Sequence, residues 1–307
     1  MKNSEKLNLI MTLEGATQER LAQRIGVTFA TLNSWVNERS APRAAAQRKI
    51  DRLYREVTGH DEPLEEPLAA KKAILAEKSK QYKNILRLIL ESPDLRDQFL
   101  LSLTYNTNRI EGSSLSEMET AAVMFDNVAL PHKTLVEQME VKNHQAALNY
   151  LLSYLTDSQT IDEGLVLKLH SMLMNGIRED AGRYRQHPVR IVGANIPPAN
   201  YPKIPALMPE LFKKMDEQEG DLVRQIAVLH GEFEKIHPFS DGNGRIGRLL
   251  IQAMALRQDY PPAIISQKKK RKYHAALNKS QHTGETGELE EFLCDAFLTG
   301  IRLMERK

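Results

Sequence analysis

Apolar residues return every three or four positions along most of the chain, and strand-like alternation is confined to one short segment. Leu222, Ile226, Leu229, Phe233 and Ile236 step by four, three, four and three, the spacing of a single helix face that must meet a core. The same period predicts helices over 118–124 and 135–155, and a further one to Met174 with Asp162 as its N-cap. Ala69 to Leu101 reads as one or two helices broken at the turn around Pro93, where Asp94 offers a cap. The exception runs from Tyr184 to Pro205, where Val189 and Ile191 alternate and Gly193, Pro197, Pro198, Pro202 and Pro205 interrupt. A short hairpin and loop are expected there. Helix resumes at Pro205, and another periodic stretch runs from Ile246 to Leu256. The expected fold class is all-α with one short β-hairpin.

The clearest break in composition is GHDEPLEEP, Gly59 to Pro67, with two prolines and four acids. It predicts a linker over 59–68 between an N-terminal module, 1–58, and a larger domain, 69–307. In the module, Thr17 is placed to cap one helix, Gly26 to end it and Thr28 to cap the next, a helix-turn-helix arrangement. Leu21, Ala22, Ile25, Val27, Leu32 and Trp35 would form its small core. It resembles DNA-binding modules of phage-repressor type, which implies that Gln18, Phe29, Ala30, Thr31, Asn33 and Ser34 face duplex DNA. Ten basic against six acidic residues from Met1 to Val57 agree with phosphate contacts. The alternative is a unit that binds protein or packs on the rest of the chain.

Composition narrows the setting. At 307 residues and 41% hydrophobic the chain can fold as a large domain plus a small one. A net charge of +2 provides no global field, so any nucleic-acid contact must be local. The single cysteine, Cys294, excludes an intramolecular disulfide and a cysteine-based zinc cluster, and a reducing cytoplasm is the expected location. No run of about 18 apolar residues occurs and the opening apolar stretch is short, so neither membrane insertion nor export is expected.

Candidate chemistry concentrates in HPFSDGNGRIGR, His237 to Arg248. Gly242, Asn243 and Gly244 can turn successive N–H groups into one concavity at the start of a helix, which makes an anion site. Arg245 and Arg248, three apart, suit a polyphosphate better than a single anion. Asp241 is one carboxylate for a divalent metal that phosphate oxygens and water would otherwise complete. His237 at the edge of the site can accept a proton from a hydroxyl near neutral pH. Taken singly, each feature has an ordinary structural reading: a histidine before proline, a DGNG turn, two solvated arginines.

Together they resemble the signature of the Fic family, HxFx(D/E)GNGRxxR, matched at His237, Phe239, Asp241, Gly242, Asn243, Gly244, Arg245 and Arg248. A chance match of eight fixed letters is on the order of one in a hundred million, so the string is specific. The likeness extends over roughly Ala69 to Lys307. AGRYR, Ala181 to Arg185, looks like the family's G-x-(Y/F)-R element, and the hairpin after it, with Ile191, Val192 and Gly193, like the flap that covers the target peptide. Tyr273 to Leu277 and Glu285 to Phe292 resemble the closing helices, which would place Tyr273 at adenine. The run Lys268 to Lys272 reads either as a phosphate-attracting patch or as a solvated turn.

The resemblance implies a protein adenylyltransferase. His237 would be the general base for a Ser, Thr or Tyr hydroxyl that attacks the α-phosphorus of ATP, with pyrophosphate leaving. Asp241 would hold Mg2+, Gly242 to Gly244 with Asn243 would bind the α-phosphate, and Arg245 and Arg248 the β- and γ-phosphates. Gly244 favours AMP transfer over phosphate transfer. TNRIEG, Thr107 to Gly112, resembles the family's inhibitory motif (S/T)xxxE(G/N), which implies that Glu111 engages Arg248 within the same chain and denies it to the γ-phosphate. Two rival readings are a DNA-binding regulator that senses nucleotide and a hydrolase that removes AMP from modified targets. Expected partners are ATP, a target protein or the chain itself, and duplex DNA; the oligomeric state stays open.

Overall fold

The computed structural model describes residues 1–58, 67–157, 160–190, 196–217 and 220–305. The chain divides into two compact units, Met1–Gln81 and Tyr82–Lys307. Of the segment read as a linker, residues 59–66 lie outside the described residues, and Pro67 and Leu68 already belong to a helix.

The first unit holds α1 (Asn3–Glu14), α2 (Gln18–Ile25), α3 (Phe29–Val36), α4 (Ala44–Thr58) and α5 (Pro67–Ser79). Thr17 caps α2 by accepting from the Arg20 N–H at 3.3 Å, and Thr28 caps α3 by accepting from the Thr31 N–H at 3.2 Å. Between them Gly26 adopts φ +81°, a left-handed turn that favours glycine. Lys49 from α4 donates to the Ile25 carbonyl at 2.9 Å, which satisfies an end of α2 that helix geometry leaves open. Leu7, Ile10, Leu21, Ile25, Leu32, Ile50 and Tyr54 are buried in the core. Helix α5, which the sequence pattern grouped with the larger domain, packs with α1 in this unit.

The second unit comprises α6 (Ile85–Glu91), α7 (Pro93–Glu111), α8 (Glu117–Phe125), α9 (Leu135–Asp157), α10 (Glu163–Leu173), α11 (Ile204–Asp216), α12 (Leu222–Ile236), α13 (Asn243–Arg257), α14 (Lys270–Thr283) and α15 (Gly287–Met304). The predicted helical segments appear, except that 69–101, read as one or two helices, is divided among three, α5, α6 and α7, with a break at 80–84 as well as at Ser92; Asp162 caps α10 by accepting from the Leu165 N–H at 2.8 Å. Pro93 opens α7 with its missing N–H in the first turn, where it costs least, and Asp94 lies inside that turn rather than at the cap. Helix α13 is buried nearly all round, packed by α12, α9 and α7, so charged groups on it sit at the centre of the unit. It begins at Asn243, three residues before the apolar period starts.

The hairpin expected in 184–205 is a correction. Among the described residues no strand forms. Prolines at 188, 197, 198 and 202 remove N–H groups that a ladder needs, and Arg185 takes over the task of joining the two arms. Its guanidinium donates to the carbonyls of His187 at 3.0 Å, Ala199 at 2.6 Å and His237 at 2.7 Å. Residues 191–195, which include the flap positions Ile191, Val192 and Gly193, lie outside the described residues.

Candidate active site

His237 ends α12 in a left-handed conformation, φ 51°, with its N–H donated to the Phe233 carbonyl at 2.9 Å. Pro238 disfavours helical geometry in the residue before it, so the chain must turn there, and Arg185 holds the turned peptide through the His237 carbonyl. The Nδ1 of His237 lies 3.2 Å from the Glu234 carbonyl oxygen, which can only accept, so Nδ1 carries the proton and Nε2 keeps its lone pair. Burial drives the His237 pKa down to about 4, only partly opposed by that backbone bond, so the ring is neutral near pH 7.

The turn after His237 is fixed by its own side chains. Phe239 is fully buried and stacks on His170 with ring centres 3.7 Å apart. His170 accepts from the Gly182 N–H at 2.9 Å and faces the Asp241 carbonyl at 3.1 Å, so it ties the GRYR segment to the DGNG turn. Asn243 donates to and accepts from the Phe239 backbone, both at 2.9 Å, and closes the loop. Gly242 takes φ +77°. The first N–H groups of α13 have no partner within the helix, and Gly242, Asn243 and Gly244 line a cleft.

The two arginines differ. Arg248 donates Nε to the Thr107 hydroxyl at 2.6 Å and Nη2 to Glu111, both on α7. Glu111 Oε1 stands 2.5 Å from where a Cβ on Gly244 would be, so the carboxylate occupies the mouth of the α13 N-terminus as well as holding Arg248. Burial opposes its charge, yet the Arg248 charge and hydrogen bond outweigh burial and hold the carboxyl below its ordinary value. Gly112 ends α7 at φ 112°. Arg245, nearly inaccessible, pairs instead with Glu140 of α9 at 2.7 Å and lies 3.7 Å from Asp241. Asp241 is half exposed and accepts from the Gly242 N–H at 2.6 Å.

Among the described residues no group of three or more His, Cys, Asp or Glu could form a metal cage. The donor set fits an ion that a single carboxylate anchors and phosphate and water complete.

A cleft of about 310 Å³ joins these parts, lined by Glu111, Glu234, His237, Asp241, Gly244 and Arg248 on one side and by α14 on the other. Tyr273 lines it from α14, but its hydroxyl faces inward, 2.6 Å from Nε2 of buried His230. Asn278 and Gln281 from the same helix also reach the wall. Sequence reasoning missed Glu140, Glu234 and His170 as parts of the site; it marked Arg185 as part of a motif but gave it no task. Glu234, one helical turn before His237, had a signal in its spacing; Glu140 had none. In the first unit, Asn33 donates to Gln18 at 2.9 Å, Phe29 is exposed, and Thr31 faces the Thr28 hydroxyl at 2.9 Å.

Comparison with known proteins agrees with this geometry. Residues 160–255 match the Fic/DOC family. Over 195 residues the chain is 31% identical to the protein adenylyltransferase Fic of Nematostella vectensis, covering 62% of this chain and 44% of that protein. It is 28% identical to protein adenylyltransferase fic-1 of Caenorhabditis elegans over 207 residues, 65% of this chain and 39% of the relative. The chain thus spans less than half the length of these curated relatives. A Fic family protein from Desulfovibrio desulfuricans superposes with a TM-score of 0.66 at 25% identity, over 78% of this chain and 74% of the other. A C. elegans Fic-1 structure superposes with a TM-score of 0.62 at 20% identity, over 98% and 96%. No described helix is long and apolar enough to cross a membrane.

Proposed function

Because residues 160–255 match the Fic/DOC family, we propose that this chain is a protein adenylyltransferase, moving AMP from ATP onto a Ser, Thr or Tyr hydroxyl of a protein. The observation that carries the reading is the meeting, in one cleft, of a neutral His237 with Nε2 free and the N-terminus of α13 beside Arg248, with Glu111 at its mouth. Nε2 takes the hydroxyl proton as the oxygen attacks the α-phosphorus, and pyrophosphate leaves. N–H groups of Gly242 to Gly244, with the loop held by Asn243, stabilise charge on the α-phosphate. Arg248 grips the terminal phosphate. Arg245, anchored by Glu140, contributes its remaining edge to the phosphates beside Asp241. Asp241 would hold Mg2+, which neutralises phosphate charge when bound.

In this reading Glu111 and Thr107 are inhibitory: both hold Arg248, and Gly112 ends the helix that presents them. Tyr273 and its neighbours on α14 form the adenine wall, and Ile191, Val192 and Gly193 the target flap. Residues 1–58 contact duplex DNA through Gln18, Phe29, Thr31 and Asn33, and the protein works in the cytoplasm.

The test is His237→Ala. It removes the base but none of the phosphate ligands, so incorporation of labelled AMP is lost while ATP binding, read by calorimetry, stays within a factor of roughly two. Full transfer by the variant would overturn the assignment.

A further inference from the structure

Glu234 has no part in the reaction just described, yet it is placed at its centre. It precedes His237 by one turn of α12, its side chain is 10% accessible, and it lines the cleft. Oε1 is buried without a hydrogen-bond partner, and Oε2 stands 3.9 Å from the His237 Nδ1. A buried carboxyl with an unsatisfied oxygen is costly.

We propose that Glu234 is the positioning residue of the base, its carboxylate stabilising the imidazolium that His237 becomes on taking the hydroxyl proton. The inference rests on the adenylyltransferase reading. The proton moves from the target hydroxyl to Nε2 of His237. Nδ1 keeps its own proton, donated to the Glu234 backbone carbonyl, and the Glu234 side chain gains none. One residue therefore fixes the ring twice, through its carbonyl by hydrogen bond and through its carboxylate by charge.

The groups that face Glu234 are His230 and His237 from its own segment, Arg248 of α13, Glu111 of α7 and Tyr273 of α14. Burial pushes the carboxyl up, Arg248 pulls it down and Glu111 pushes it up again, to about 7. His237 and His230 are held down at about 4 and about 3, largely by burial. Tyr273 is raised, Glu111 lowered and Arg248 raised. Near neutral pH, Glu234 is thus the group in this set that changes charge, and the base gains its partner as pH rises through that range. Glu111, by raising Glu234, delays that ionisation; inhibition and base strength are linked through one carboxylate.

Two measurements on the full chain test this. In the Glu111→Gly background, kcat for AMP incorporation should rise with pH along a limb that lies below the value of about 7 set with Glu111 present, since the charge that raises Glu234 is gone, and Glu234→Gln should remove that limb and lower kcat roughly tenfold or more with little change in KM for ATP. A merely structural role would lower activity without erasing the limb. Independently of activity, carbon-labelled histidine spectra of the otherwise unaltered protein should show the His237 resonance, identified by its loss in His237→Ala, inflecting near pH 7 although the ring itself stays neutral. Glu234→Gln should abolish the inflection. A His237 resonance with no inflection there, or the same one in both proteins, overturns the proposal, even if the variant folds poorly. An intact inflection with no AMP transfer by any variant would sink the adenylyltransferase reading and leave the pairing of Glu234 with His237 supported.

Discussion

Arg248 cannot serve Glu111 and a terminal phosphate together, and this makes Glu111→Gly the sharpest perturbation. The guanidinium is 7% accessible and the carboxylate 36%, so the ion pair is buried at one end only. A charge-assisted hydrogen bond contributes about 1.5–3 kcal/mol, and the accessible carboxylate places this one at the low end through screening. Removing it should lower the barrier by roughly 1.4 kcal/mol, about tenfold in rate. The carboxylate also blocks the α13 N-terminus beside Gly244, so its loss opens a second phosphate contact and the tenfold figure is a lower bound. The structural cost is small. Glu111 is the last residue of α7, where glycine weakens a helix least, and Phe99, Leu100 and Ile110 keep the helix packed. The bond from Arg248 Nε to Thr107 at 2.6 Å does not involve Glu111, so the change frees one edge of the guanidinium and leaves the other held. The assay is incorporation of labelled AMP, into the protein itself or into cell extract, at saturating magnesium and ATP. Adding Arg248→Ala to Glu111→Gly should abolish the gain. Equal rates for the wild type and Glu111→Gly would refute the reasoning and reduce TNRIEG to an ordinary helix end.

Two further outcomes follow from other parts of the chain. Gly247→Ala should destabilise the second unit by about 1–3 kcal/mol through overpacking, since a Cβ there would meet Glu234 Oε1 at 2.6 Å and the His230 ring at 2.9 Å; an unchanged thermal midpoint would contradict that packing. The full chain should bind duplex DNA with an affinity that falls steeply as salt rises, and absence of binding even at about 50 mM salt would favour the protein-partner or packing reading of residues 1–58.

The sequence alone determined the helical class, because a 3.6-residue period survives in any amphipathic segment whatever it packs against. It also determined the contiguous part of the site. His237, Asp241 and the glycines at 242 and 244 lie within one turn and one helix start, so their chemistry could be read without knowing the rest of the fold. Thr107 and Glu111 were legible only through resemblance, since 141 and 137 positions separate them from Arg248. Only the tertiary structure showed that Arg245 has an acid of its own. Arg245 looked like the twin of Arg248, yet α9 delivers Glu140 to it across 105 positions, and α7 delivers Glu111 to the other. The described part of 184–205 was decided the same way: its alternation resembles a strand, but among the described residues no strand forms and Arg185, brought against the His237 turn, donates to the His187 and Ala199 carbonyls instead. Glu234 shows the limit most clearly. Its position one turn before the base is local and visible, whereas its raised pKa depends on helices α7, α13 and α14 closing over it, and burial is a property that no local pattern carries.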